Sequence, residues 1–99
     1  MSHPVFWSPL SKEEYAELLK YLEAEYGLES ALKFMDKMDE VVASISRFPE
    51  SGRMTKKKKV RLCVITSQTS LIYVVNEDRI DILHLWDTRR DPDKLQDAL

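Results

Sequence analysis

Two helical stripes with a single glycine between them constrain this chain more than any other feature. Tyr15, Leu18, Leu19, Leu22 and Tyr26 follow the spacing that puts apolar side chains on one helical face, and Gly27 ends that run. Ala31, Phe34, Met35, Met38, Val41, Val42, Ile45 and Phe48 form a second stripe, which Pro49 closes. Helices joined this tightly must turn back on each other as an antiparallel hairpin. The first begins near Ser8-Pro9, a capping serine before an N1 proline, or a turn later at the capping box of Ser11 and Glu14. Met35 and Met38 read as core filler, with an adaptable partner groove as the alternative.

Beyond Pro49 the period changes from helical to alternating. Val60, Leu62 and Val64 alternate with Arg61 and Cys63, which predicts a strand over 60–65. Residues 71–75 are apolar at successive positions, as in a central strand covered on both faces. Asn76-Glu77-Asp78 is turn chemistry leading into a strand over 79–86. Strict alternation there places Ile80, Ile82, His84 and Trp86 on one face and Asp81, Leu83 and Leu85 on the other. Val5-Phe6-Trp7 is a short β-prone run ahead of the first helix. The expected fold is α+β, in the order β-α-α-β-β-β, with an antiparallel sheet packed on an N-terminal helical hairpin. Residues 91–95 carry helix-start chemistry and predict one further short turn.

Composition bounds the class. A hydrophobic share of 43% and a charged share of 32% belong to a folding globule, and 99 residues allow one core, so a single domain over 1–99 is expected. Two glycines and four prolines leave no flexible linker. The N-terminus lacks the cationic and apolar regions of a secretory signal, and no apolar run approaches the roughly 20 residues that span a bilayer, so a cytoplasmic protein without a membrane partner is expected. The lone Cys63 forms no internal disulfide or Cys-x-x-Cys site and reads as a small buried hydrophobe, not a nucleophile.

Net charge is only −2, but it is unevenly placed. Residues 1–50 hold five Lys/Arg against ten Asp/Glu, a balance of −5, and residues 51–99 hold ten against seven, a balance of +3. No acidic residue occurs between Glu50 and Glu77, while Arg53, Lys56, Lys57, Lys58, Lys59 and Arg61 place six positive charges within nine positions. Such a cluster is a candidate anion or target site, with Arg89 and Arg90 as further members. The bland alternatives are a solvated lysine loop and arginines paired with Asp87, Asp91 and Asp93.

Four short strings add a resemblance. Phe6-Trp7-Ser8-Pro9, Phe48-Pro49-Glu50-Ser51-Gly52-Arg53, Ile72-Tyr73 and Trp86-Asp87-Thr88-Arg89-Arg90-Asp91-Pro92 stand in the order and at the separations of the bacterial RelE/ParE toxin superfamily. The chain resembles that superfamily from about Val5 to Leu95. The resemblance implies the toxin of a type II toxin-antitoxin, plasmid-stabilisation-like system, neutralised by a cognate antitoxin protein, with no cofactor and no metal. A homodimer stays open. RelE-like members cut messenger RNA on the ribosome, and ParE-like members inhibit DNA gyrase.

Metal-free RNA cleavage needs a base for the 2′-hydroxyl, cations for the phosphorane and an acid for the leaving oxygen, all converging on one sheet face. Candidates are Arg61, His84 and Arg89 or Arg90, with Tyr73 as a further donor. Where the RelE-like branch has an arginine three positions before the tyrosine of the middle strand and a tyrosine six positions after its late arginine, this chain has Ser70 and Leu95. The 48–53 junction and the 88–91 string look more like the ParE branch. His84 and Trp86 also read as core or rim residues. The resemblance therefore implies a ParE-like growth inhibitor acting on DNA gyrase, with a RelE-like mRNA endonuclease and a non-toxic homologue that retains antitoxin binding as alternatives.

Overall fold

The computed structural model describes residues 2–87. Its elements run β1 (Val5–Trp7), α1 (Pro9–Tyr26), α2 (Leu28–Arg47), a single 3-10 turn (Pro49–Ser51), β2 (Arg53–Met54), β3 (Val60–Thr66), β4 (Thr69–Val75) and β5 (Ile80–Asp87). Strand order in the five-stranded sheet is β1-β5-β4-β3-β2. β3, β4 and β5 form the expected antiparallel meander, and β1 runs parallel to β5, so the N-terminal strand closes the far edge in the opposite sense. β2, only two residues long, extends the other edge and had no periodic signal of its own. The short turn expected over 91–95 lies outside the described residues.

Both helices start and stop where local chemistry directs. Ser8 caps α1 by accepting the Ser11 N–H at 3.0 Å, so the earlier of the two starts is used. Gly27, at φ 98°, ends α1 and begins α2 at once, a backbone conformation that a side chain would strain. Leu18, Leu22, Ala31, Phe34, Met38 and Ile45 pack on Ile65, Leu71, Tyr73, Ile80, Ile82 and Leu85 to make the core. Met38 is the expected filler at 1% exposure, whereas Met35 faces solvent. Tyr26 also leaves its stripe for the surface.

The parity expected for β5 does not hold. Ile72 pairs with His84 but Tyr73 pairs with Ile82, so Leu83 is an extra residue on β5, a bulge. A one-residue insertion exchanges the faces of everything beyond it. Ile80 and Ile82 therefore share the helix-facing side with Leu85, while His84 and Trp86 pair with Ile72 and Ser70 on the side turned away from the helices.

The bulge sits where β1 stops covering β5. There α1 takes over the exposed strand edge with polar groups: the Ser8 and Ser11 hydroxyls donate to the Leu83 and Ile82 carbonyls, and the Glu14 carboxylate accepts the Leu85 N–H at 3.1 Å. Buried polar groups must find such partners, which explains why Ser11 and Glu14 are buried within an otherwise apolar face.

Candidate functional site

The basic segment forms a tight loop between β2 and β3. Thr55 organises it: its N–H donates to the Val60 carbonyl, its hydroxyl lies within 2.9 Å of that same carbonyl, and its Oγ1 accepts the Lys57 N–H at 3.2 Å. The Val75 N–H fastens the far side by donating to the Lys59 carbonyl. Lys56, Lys57, Lys58 and Lys59 are all exposed, as is Arg53 at the sheet edge. Lys59 is held at φ 69°, in the left-handed region that L side chains disfavour.

Arg61 belongs elsewhere. In the β3–β4 register it stands opposite Tyr73, and its guanidinium donates to the carbonyls of Glu50 and Gly52 at 3.1 and 2.8 Å. The Tyr73 hydroxyl, fully buried, accepts the Gly52 N–H and donates to the Pro49 carbonyl at 2.8 Å. Together the two side chains fasten the 49–52 turn to the sheet. Burial raises the Tyr73 phenol above its ordinary pKa, against the opposing pull of the Gly52 N–H and Arg61.

His84 lies on the other face. Arg61 and His84 pair with Tyr73 and Ile72, which are adjacent on β4 and so project to opposite sides of the sheet. Convergence of Arg61 and His84 on one face, the condition for the nuclease set, is not met. The His84 Nδ1 has no hydrogen-bond partner and stands 3.6 Å from the Glu14 Oε1. Arg89, Arg90 and Leu95 lie outside the described residues. Among the described residues, no group of three or more His, Cys, Asp or Glu side chains could hold a metal ion. Cys63 is half-buried on β3, and burial pushes its thiol pKa up, away from nucleophilic reactivity.

Two features escaped the sequence reading. Local chemistry offers Glu14 only as a capping-box partner, yet Ser11, Glu14, Leu18 and Leu22 share the i, i+3, i+7, i+11 spacing, so a polar pair on the apolar face is the available signal. The second is a groove of about 980 Å³ between β1 and the outer side of the hairpin, lined by Val5, Trp7, Leu19 and Val42 with Tyr15 and Asp39. Trp7 stacks on Tyr15 with ring centroids 5.3 Å apart, a contact that joins β1 to α1 and that neither periodicity encodes. Burial first, and Asp39 second, raise the Tyr15 pKa.

The half-buried Tyr15 phenol and the buried Tyr73 phenol give a measurable alkaline signature. The unfolded chain releases tyrosine protons near pH 10, while folded Tyr15 and Tyr73 hold theirs to higher pH. The folded state thus binds more protons above that pH, and stability is expected to fall as pH rises from about 10 toward the folded values. Urea midpoints at stepped pH check this, and Tyr15→Phe and Tyr73→Phe should each flatten the decline. A decline unchanged in both variants would assign it to other groups.

Among the described residues, four exposed lysines cluster in the β2–β3 loop, and Arg61 and His84 stand on opposite sides of the sheet. The family described as "ParE toxin of type II toxin-antitoxin system, parDE" matches residues 5–92. Among curated protein sequences none matches. Among solved structures, the chromosomal ParDE system of P. aeruginosa superposes with a TM-score of 0.74 at 19% identity, covering 87% of this chain and 96% of that one. The YoeB dimer of Staphylococcus aureus gives 0.62 at 19% identity, covering 87% and 97% of the two chains. The E. coli DinJ-YafQ toxin-antitoxin complex gives 0.63 at 9% identity, covering 92% and 98%.

Proposed function

The chain belongs to the ParE toxin family of type II toxin-antitoxin systems, and from that premise we propose that it arrests growth by acting on DNA gyrase and is neutralised by a cognate antitoxin. One observation carries the choice of gyrase over messenger RNA: Arg61, the sheet cation a nuclease would use, is occupied by the Glu50 and Gly52 carbonyls on the face opposite His84. A phosphorane needs its cation and its base on the same side. Ser70, in place of the nuclease arginine, points the same way.

A specific feature keeps the endonuclease reading as the second choice. The His84 imidazole has an unbonded Nδ1 3.6 Å from the buried Glu14 carboxylate, which sets the two residue types of a base and its orienting partner side by side at the sheet. That reading also requires Arg61 to leave its carbonyls and Arg89 to join His84.

Induced expression in bacteria, with and without the protein encoded beside it, tests the proposal. The expected result is growth arrest relieved by the neighbour, inhibition of purified gyrase supercoiling, and no cleavage of translated messages at the ribosomal A site. A-site cuts with unaffected supercoiling would replace gyrase by messenger RNA as target. Unimpeded growth would identify a non-toxic homologue.

A further inference from the structure

We propose that the β2–β3 loop is a docking site for the phosphate backbone of duplex DNA, with Lys56, Lys57, Lys58 and Lys59 as its contacts and Arg53 at its margin. The inference goes beyond the toxin reading and does not depend on it, because a homologue without toxicity would bind in the same way.

Three observations carry it. The first is charge without internal use. Among the described residues the four lysines form no ion pair, all four are exposed, and no acidic residue occurs from Ser51 to Asn76. The second is a backbone conformation kept against its cost. The loop holds Lys59 in a left-handed conformation that glycine or asparagine would adopt more readily. A lysine at that position is explained by its charge, not by its backbone. The third is polarity across the molecule. Residues 9–47 of the hairpin carry five Lys/Arg and nine Asp/Glu, so a polyanion is repelled there and is steered to the loop.

The chemistry selects the partner. Lysine ammonium groups act as mobile point charges toward phosphate and need no fixed partner geometry, which suits a run of backbone phosphates. The one arginine within the lysine loop's strand, Arg61, is turned away to backbone carbonyls. Single-stranded nucleic acid is bound by aromatic platforms on which bases stack. The loop has none, and Tyr73, opposite Arg61 on β4, is fully buried. Charge density without stacking surface matches a duplex.

Fluorescence anisotropy with the full chain and a random-sequence duplex of about 20 base pairs tests the assignment. Four phosphate contacts give a log–log salt slope of about −3.6, so affinity should fall roughly 100-fold between 50 and 200 mM salt. Replacing all four lysines by glutamine, at positions that contribute no side chain to the core, should abolish that slope with unchanged circular dichroism. Lys59→Gly should raise the melting midpoint while weakening duplex binding. The proposal is overturned if the duplex does not bind at low salt, if the glutamine variant or Lys59→Gly binds as well as the parent, or if a single strand or a polyglutamate of equal charge is held more tightly than the duplex. The last outcome would assign the loop to an acidic protein partner. Since the readout is binding and not growth, failure here leaves the gyrase experiment untouched.

Discussion

Gly52→Ala is expected to lower stability by about 3 kcal/mol, the upper end for an overpacked buried site, and to lower the melting midpoint by roughly 10–20 °C in a domain of this size. A Cβ on Gly52 would overlap the Tyr73 hydroxyl and come within 2.9 Å of the Tyr73 Cε1 and Cζ. The ring cannot retreat, because Tyr73 is fully buried in the sheet core and its hydroxyl is bonded on both sides, to the Gly52 N–H and the Pro49 carbonyl. Gly52 is not there for backbone freedom: its φ of −71° is open to any residue. It is there because the turn and the phenol touch. Tyr73→Phe alone should cost about 1–3 kcal/mol through the unpaired groups it leaves. The double variant should be less destabilised than the sum, since removing the hydroxyl relieves the severest overlap. Strict additivity in a urea denaturation cycle would refute the contact as the cause.

Glu14→Ala should produce the second large loss, about 2–4 kcal/mol, by stripping the Leu85 N–H of its acceptor and leaving a gap beneath α1. Glu14→Gln keeps an acceptor oxygen of the same reach and should cost far less. Hydrogen exchange at the Leu85 amide separates the two mechanisms. Protection should drop in the alanine variant beyond the global change and survive in the glutamine one. Equal protection in both would show that the carboxylate is not what holds that edge of β5.

The same two sites mark the limit of what pattern could reveal. The 48–53 string was recognisable as a junction, and Tyr73 and Arg61 were visible as chemistry-bearing residues. Their use was not. Both are spent on fastening the turn they face, because β3 and β4 pair Arg61 with Tyr73 on the helix side of the sheet. His84 is likewise visible, but the bulge at Leu83 moves it to the face opposite the one that strict alternation gives. A bulge leaves no trace in an alternating pattern until the strand beyond it is paired. The lysine run was legible as charge. Its exposure, its fastened ends and the left-handed Lys59 required the loop to be closed.

Local and periodic information in the sequence determined the hairpin, the meander, the helix caps and the separation of acidic from basic regions. Each depends on residues within a turn or two of one another, where propensity and spacing act directly. Tertiary structure alone decided the parallel return of β1 beside β5, the bulge at Leu83, the burial of Glu14 and the fastening of the 49–52 turn by Arg61 and Tyr73. All four arise between segments separated by 9 to 75 positions along the chain. Backbone groups on an uncovered strand edge or in a buried turn must be paired by whatever the fold brings near, and no periodicity records which residue that will be.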